Sequence, residues 1–368
     1  MIISLRLLLL SISLIIIGAN SIALGQFSNF EVLLQPGATP GSLGDSYTAT
    51  STDPYATYYN PAGVAHSKYK HQFLINIQRF TRFDWIDPFG IKQDQSIFIG
   101  RLWKITKNLG VAVTYSTFGL DFDTTVSKYK SNSLNLALGM RFGKKLSIGL
   151  GVARYNSEST LIEAAVIGAE MSSIAYSFGL MLQNLNIHSE VGKDTSGVAF
   201  GISFNGISAG VNSNLSSNFS IFGGPEALET GGYPYPATAR LGVSTIIMNT
   251  DHMIIRTSLD VRKVFYKIND DEFDKWLTPF FTGWDAHDAT YHIGLELKVP
   301  DKNIAFRVGR SIEEKDNPKV RRVNFGISLW YRSLEFITTM GYSKIYVFEG
   351  EGAFESSRPI FELRYGIR

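Results

Sequence analysis

The 368-residue chain has no cysteine. This absence excludes disulfides, cysteine-ligated zinc and thiol nucleophiles together. Positive and negative charges nearly balance, because the chain has 35 Lys and Arg and 33 Asp and Glu, which gives a formal net charge of +2. A balanced chain of this kind gives no indication of a nucleic acid or another strongly charged partner.

Long hydrophobic runs are also missing, apart from one near the N-terminus. Leu7 to Ile17 is strongly apolar, follows Arg6, and leads to small residues around Ala23 and Gly25. A helix that spans a membrane needs roughly 20 apolar residues, and this run is shorter. A basic start, a short apolar stretch and a small-residue exit are typical of a secretory signal peptide. We therefore predict a signal peptide over residues 1–25 rather than a membrane anchor.

The signatures of common enzyme classes are absent as well. No serine lies in a nucleophile elbow, and no glycine-rich phosphate loop leads from a strand into a helix. Asn269 to Asp274 lacks the oxygen spacing and the glycine of a calcium loop. For Trp284 to Asp288 with His292 we weigh a divalent-ion site against an aromatic loop carrying charges for solubility, and favour the loop. The sequence predicts no catalysis, no cofactor and no metal.

What the chain does contain is a recurring alternation of apolar and polar residues. In one segment Ile293 and Leu295 share a face, while His292 and Glu296 share the other. Such a period of two predicts β-strands. A soluble sandwich shows the same alternation with its apolar face inward. Here the second face mixes opposite charges with glycine, and aromatic residues lie near the segment ends, which favours a barrel in lipid.

The lengths of the links between these segments alternate. Short links are predicted at Lys104–Asn108, Gly143–Lys145, Asn205-Gly206, Asn249–Asp251, Pro300–Lys302 and Arg332-Ser333, with long polar links between them. Outer-membrane barrels alternate in this way between short periplasmic turns and long outer loops. Asn205-Gly206 in particular is a strong signal for a two-residue hairpin.

Fourteen strands follow from these links. They are Gln72–Phe80, Gln95–Trp103, Leu109–Thr117, Asn132–Phe142, Leu146–Tyr155, Val198–Phe204, Ile207–Asn212, Ala237–Met248, His252–Val264, Tyr291–Val299, Asn303–Arg310, Val323–Tyr331, Leu334–Tyr342 and Ile360–Ile367. An even number places both chain ends on the periplasmic side. Ala175 to Leu185 also resembles a strand, but it would make the number odd. We place it in a long outer link over Asn156–Gly197, behind a short helix at Leu161–Glu170.

A run of small and polar residues precedes the first strand. It extends from Gly41 to Ala65, and its notable positions are Gly41, Gly44, Asp45, Asp53, Pro54, Asn60, Pro61, Ala62 and Gly63. Asn favours the N-cap of a helix and Pro its first position, so the Asn-Pro-Ala-Gly tetrapeptide predicts a compact turn or a single helical turn. The nearby His66 and His71, beside Lys68 and Lys70, are interpreted as a solvated periplasmic rim.

This run resembles the N-terminal signature of the FadL superfamily of bacterial outer-membrane β-barrels. It is most similar to the PorV/PorQ-like branch, because Leu33, Leu34 and Pro36 lead into the Gly44-Asp45 pair. The resemblance implies a fourteen-stranded transmembrane barrel with an N-terminal plug in its lumen. We accordingly expect a signal peptide over 1–25, a plug over 26–71 and a barrel over 72–368, in the outer membrane of a Gram-negative bacterium.

The same resemblance implies two functions. The first is a PorV-type component of the type IX secretion system that binds secreted cargo proteins and other secretion components. The alternative is a FadL-like transporter of long-chain fatty acids or other apolar small molecules. Besides outer-membrane lipid, the expected partner is therefore either a secreted protein or an apolar compound.

Overall fold

A computed structural model describes residues 36–79, 91–122, 127–161, 166–187, 196–218, 237–265, 289–313, 319–346 and 353–367. The predicted signal peptide, the Leu33-Leu34 pair and the two segments Asn269–Asp274 and Trp284–Asp288 lie outside these residues. Nothing in the structure therefore tests these four predictions.

Fourteen antiparallel strands form one closed barrel, as the alternation predicts. They are β1 (His71–Arg79), β2 (Ile91–Lys104), β3 (Leu109–Phe122), β4 (Ser127–Phe142), β5 (Leu146–Leu161), β6 (Val166–Ile187), β7 (Ser196–Asn218), β8 (Ala237–Asn249), β9 (Ile254–Phe265), β10 (Ala289–Val299), β11 (Ile304–Glu313), β12 (Lys319–Tyr331), β13 (Leu334–Tyr346) and β14 (Ala353–Ile367). Each strand pairs with its neighbours in sequence, and β1 pairs with β14, from His71 opposite Ile367 to Gln78 opposite Ile360.

The wall has its apolar side outward and its charged side inward. On β10, Ile293 is 51% exposed, whereas the alternating His292 and Glu296 are buried. On β14, Phe361 is 48% exposed, whereas Glu362 is buried. A soluble sandwich would bury the opposite set. This arrangement suits a barrel with lipid outside and a polar interior.

One end of the barrel carries the short turns. Residues 105–108, 143–145, 250–253, 300–303 and 332–333 connect strands there, and a 3-10 helix at Pro300–Lys302 forms one of these turns. We call this the short-turn end and the opposite one the far end. Five of the six predicted short links are confirmed. Several strands continue toward the far end beyond their predicted limits, as β5 does to Leu161.

Two details of the predicted strand list are wrong. Ala175 to Leu185 lies within β6, a strand of 22 residues, and not in an outer link. Residues 166–170, assigned to a helix, are also part of β6. Asn205-Gly206 is not a hairpin, because β7 runs through it as a strand of 23 residues. Between Tyr176 and Phe178 the β6–β7 register shifts, so Asn205 and Gly206 form a bulge rather than a turn.

Residues 36–70 form the plug segment, which lies inside the barrel. It contains the short helices α1 (Ala38–Ser42) and α2 (Ala56–Tyr59) and a 3-10 helix at Pro61–His66, and it continues directly into β1. Most of its side chains are buried, polar ones included. Within the described part of the chain, no helix has the length and apolar character to cross a membrane.

Candidate functional site: the plug and the lumen wall

Glycine residues lie on the inner wall at many of the points where the plug segment approaches it. A Cβ atom added at any of eleven wall glycines would lie within 3 Å of a plug atom or of a neighbouring side chain; these are Gly100, Gly110, Gly139, Gly149, Gly179, Gly201, Gly242, Gly294, Gly309, Gly326 and Gly366. Four of them face one another on successive strands, since Gly110 pairs with Gly139, Gly139 with Gly149, and Gly149 with Gly179. We call the eleven residues the glycine belt.

The belt is required by the width of the plug. At Gly149 an added Cβ would lie 2.1 Å from the backbone nitrogen of Ala62, and at Gly309 it would lie 1.9 Å from that of Gly44. Both close contacts are with backbone, which cannot rotate away as a flexible side chain does. The wall and the plug backbone therefore touch directly on opposite sides of the lumen.

The Gly44-Asp45 pair forms a tight turn. Gly44 has a φ of 62° and Asp45 a φ of 67°, and the amide of Ser46 donates to the carbonyl of Leu43 over 3.2 Å. Two successive positive φ values are favourable for Gly and tolerable for Asp. The Asp45 carboxylate accepts a hydrogen bond from the Tyr59 hydroxyl at 3.2 Å. The pair thus has a local structural role in turning the plug chain.

Asn60 holds three parts of the structure together. Its Oδ1 accepts from the amide of Ala62 at 3.1 Å, which caps the 3-10 helix that begins at Pro61. Its Nδ2 donates to the carbonyl of Thr48 in the plug and to that of Leu180 on β6, both at 3.1 Å. Asn60 is fully buried. The predicted capped turn is present, and it also attaches the plug to the wall.

Asp53 connects the plug to β14. Its Oδ2 lies 3.0 Å from a guanidinium nitrogen of Arg364 and accepts from the Tyr47 hydroxyl at 2.6 Å, while its Oδ1 accepts from the amide of Tyr55. Burial raises the pKa of the Asp53 carboxyl, and the Arg364 guanidinium and the hydrogen bonds from Tyr47 and Tyr55 oppose that rise.

Glu362 on β14 completes this network. It forms an ion pair with Arg364, and its Oε2 accepts at 2.8 Å both from the amide of Ala38 and from the Tyr55 hydroxyl. Arg364 also donates to the Thr39 hydroxyl at 2.8 Å. Two residues of the last strand thus bind four residues of the plug: Ala38, Thr39, Asp53 and Tyr55. We call Asp53, Glu362 and Arg364 the latch.

Polar side chains of β9 and β10 hold the middle of the plug. Asp260 accepts from the amides of Tyr47 and Thr48 at 2.9 and 2.8 Å. The Nδ1 of His292 lies 2.7 Å from the carbonyl oxygen of Gly44. Because a carbonyl only accepts, His292 must carry its proton on Nδ1. His292 is therefore a structural contact of the plug.

The opposite half of the lumen wall carries an apolar strip among uncharged polar side chains such as Gln72, Asn76 and Thr114. Inward-facing Leu102, Ala112 and Ala137 pack with Ala56 and Val64 of the plug. Farther from the short-turn end, Leu74 and Phe98 pack with plug tyrosines, including Tyr55, whose ring centroid lies 4.7 Å from that of Phe98. Phe118 on β3 is also buried, and it pairs with Ser96 of β2. Ser96 lies two residues before Phe98 on the inward face of β2, so Phe118 is farther from the short-turn end than Phe98. We call Leu74, Phe98, Leu102, Ala112, Phe118 and Ala137 the apolar strip.

The nine predicted plug-motif residues all lie in the plug segment, but they do not form one cluster. Gly41 approaches Ile360, Gly44 approaches Arg310, and Gly63 lies against the carbonyl of Ser51. Pro54 fills the space beside Gly100, and Ala62 that beside Gly149. Sequence reasoning missed their wall partners: Asp260, His292, Glu362, Arg364 and the glycine belt. The sequence did contain a signal for these partners, because the charged residues and glycines occur at the alternating strand positions that face the lumen.

The description of His66 and His71 as solvated requires correction. Both are only half-exposed, and each has a buried ring nitrogen without a hydrogen-bond partner among the described residues. Burial, with the nearby charges of Arg141 and Lys104, lowers the pKa of His66 from 6.5 to about 4. Among the described residues, no group of three or more His, Asp or Glu side chains is placed to hold a metal ion.

Comparison with solved structures finds similar architectures among membrane channels. The CymD monoaromatic hydrocarbon channel superposes with a TM-score of 0.58 at 10% identity, over 90% of this chain and 97% of that one. A Pseudomonas aeruginosa FadL homologue gives 0.51 at 11% identity, over 95% and 100%. The Ralstonia pickettii toluene transporter TbuX gives 0.55 at 9% identity, over 90% and 98%. No protein-family model and no curated protein matches the sequence.

These neighbours share the overall fold of this fourteen-stranded barrel. The chain is an outer-membrane β-barrel. Its apolar outer surface suits lipid, and its fold places it in the outer membrane of a Gram-negative bacterium. At about a tenth identity the likeness extends to the fold of FadL-type channels and not to the chemistry of any one of them.

Proposed function

We propose that this outer-membrane barrel conducts apolar small molecules past its plug. The observation that carries the proposal is the apolar strip. A water-filled barrel has a polar interior, whereas here one half of the inner wall offers buried Leu74, Phe98 and Phe118. An apolar solute that enters such a lumen exchanges contacts with water for contacts with the strip, and the hydrophobic effect favours this exchange.

The position of the strip relative to the plug supports this route. Phe98 contacts Tyr55 on the plug, so the strip lies along the plug rather than apart from it. The strong polar attachments of the plug, by contrast, go mainly to β9, β10 and β14. The plug is thus held on its polar side, and its apolar side is where a solute meets the fewest hydrogen bonds. The solved neighbours named as hydrocarbon channels and toluene transporters agree with this class of solute.

Uptake measurements test the proposal. Cells that lack their own channels and express this barrel should accumulate radiolabelled toluene or a long-chain fatty acid faster than cells with an empty vector. Phe118→Gln should slow the uptake, because it places an amide in the strip. Asn324→Gln, which lengthens by one methylene an amide already present on the polar half of the wall, should leave uptake unchanged. Uptake no faster than that of the empty vector for either compound would refute the proposal.

Binding of secreted cargo, as in the PorV-type reading, stays a prediction. Its sequence basis is the Leu33-Leu34 pair, outside the described residues, and the Gly44-Asp45 pair, whose positive φ values already explain its composition. The two functions separate in one experiment on a deletion strain of the source bacterium. Loss of secreted proteins from the cell surface with normal uptake would favour cargo binding over conduction.

A further inference from the structure

The short-turn end has two halves of different charge. The half formed by β1 to β5 contains His66–His71, Lys104–Leu109 and Arg141–Leu146. These three segments carry seven Lys and Arg and no acidic residue: Lys68, Lys70, Lys104, Lys107, Arg141, Lys144 and Lys145. The turns of the other half mix Asp251, Asp301 and Glu335 with Lys302 and Arg332. We call the seven cations the basic arc.

The basic arc is one connected surface. The amide of Lys104 donates to the carbonyl of Lys70 at 2.8 Å, which joins β2 to the segment that leads out of the plug. The amide of Arg141 donates to the carbonyl of Asn108 at 2.8 Å, and its guanidinium donates to that of Lys107 at 2.9 Å. Backbone hydrogen bonds therefore hold the three segments side by side. Like charges brought so close repel one another unless an anion lies between them.

The behaviour of His66 is consistent with a positive potential at this surface. The charges of Arg141 and Lys104 add to burial in lowering its pKa to about 4, so His66 contributes no positive charge of its own at neutral pH. Lys68, Lys70, Lys107, Lys144 and Lys145 are exposed to solution; the Lys68 ammonium also lies 5.0 Å from the centre of the Tyr69 ring.

The side of the strand on which each cation lies indicates whether its partner is a periplasmic molecule or a lipid headgroup. Most outward positions at this rim are apolar or aromatic, including Trp103, Phe142 and Leu146; Arg101 is an exposed cation among them, with its guanidinium 5.6 Å from the centre of the Trp103 ring. Lys104 and Arg141 have the inward parity of Leu102 and Gly139, and the remaining lysines lie at turn tips or beside the plug exit. The cations thus surround the periplasmic mouth of the barrel. The lipid-facing rim has the character of an aromatic girdle.

We propose that the basic arc is a docking surface for an acidic segment of a periplasmic polypeptide. Several lysines on flexible stems suit a flexible run of carboxylates better than a single rigid anion. Complementary charge of this kind accelerates encounter and is weakened by salt. Because the arc borders the plug exit at His66, a segment bound there contacts the same end of the barrel at which the plug joins β1.

Binding of an oligoglutamate peptide tests the proposal. The full-length barrel in zwitterionic nanodiscs should bind a fluorescent oligoglutamate, measured by anisotropy at low salt, and should not bind oligolysine. Raising the salt concentration should weaken binding progressively. Lys144→Gln with Lys145→Gln should weaken binding about threefold to tenfold, since two exposed charge pairs are lost. These two lysines lie in an exposed turn, so the barrel should still form.

A matched variant removes two cations from the other half. Lys302→Gln with Arg332→Asn also deletes two exposed charges from short turns, and it should leave oligoglutamate binding unchanged. Equal weakening by both double variants would show that only net charge matters and would overturn the proposal, as would absence of binding at low salt. The wild-type barrel could instead retain more anionic phospholipid than the Lys144/Lys145 variant and bind no oligoglutamate. That result would overturn the proposal in favour of a lipid headgroup.

Discussion

Oδ2 of Asp53, near the start of the chain, lies 3.0 Å from a guanidinium nitrogen of Arg364 on the last strand. Both side chains are buried inside the barrel. The pair therefore joins the plug segment to the strand that closes the wall.

Removal of the Arg364 charge should release the plug. Arg364→Gln leaves two buried carboxylates, Asp53 and Glu362, without their cation, and loss of one partner of a buried pair typically costs about 3 to 5 kcal/mol. We expect higher single-channel conductance in planar bilayers and greater sensitivity of cells to large antibiotics. Arg332→Asn, in an exposed turn, is the control. Conductance equal to that of the wild type would show that the latch does not hold the plug.

A methyl group at the glycine belt should have a similar effect by a steric route. In Gly149→Ala the new Cβ would meet the backbone of Ala62 at 2.1 Å, whereas in Gly197→Ala the nearest atom lies at 3.7 Å. Overpacking of this kind costs about 1 to 3 kcal/mol. Because the clash is with the plug, the first variant should still form a barrel, seen as a heat-modifiable gel band, but show raised conductance. If both variants conduct alike, the belt is not needed for closure.

The cap at Asn60 should control the local stability of the plug. Asn60→Ala removes a helix cap, which costs about 0.5 to 2 kcal/mol, and it leaves the Thr48 and Leu180 carbonyls without this donor. Hydrogen exchange followed by mass spectrometry should show faster exchange in peptides that cover residues 56–67. Asn156→Ala removes a wall asparagine whose amide bonds to Asn132, and it should leave those peptides unchanged. Unaltered exchange in Asn60→Ala would contradict the role of the cap.

Acid should weaken the folded state through His66. Its pKa in the folded protein is about 4, below its ordinary 6.5, so between these values the unfolded chain binds a proton that the folded one does not. This contribution to stability is complete above pH 6.5 and is lost as the pH falls toward 4. The temperature at which the gel band of the folded barrel disappears should therefore fall less on acidification in His66→Gln than in the wild type. An identical fall in both proteins would rule out this contribution.

The sequence predicted the number of strands correctly, although two errors compensated. One strand was divided at Asn205-Gly206, and another, around Ala175 to Leu185, was assigned to a link. Local composition misled in the first case, because Asn-Gly suits a hairpin and also a bulge. The structure shows why: β6 and β7 are paired over 22 and 23 residues with several register shifts, which only the neighbouring strand reveals.

The plug was predictable in outline and not in its contacts. Small residues and the Asn60-Pro61 cap indicated a compact buried segment from local chemistry. The partners of that segment lie far away in the sequence, as Asp53 and Arg364 do. Alternation along β14 places Arg364 on the inner face, but periodicity alone gives no information on which plug residue it meets.

The latch has a consequence for biogenesis. Asp53 leaves the ribosome long before Arg364, and the barrel seals only when β14 reaches β1. The strand that completes the barrel, β14, also carries the residues that bind the plug segment. Closure of the barrel and docking of the plug segment should therefore finish as a single event. An assembly intermediate in which β14 has not yet paired with β1 would then have neither a closed barrel nor a docked plug segment. Periplasmic quality control would have two separate defects to recognise.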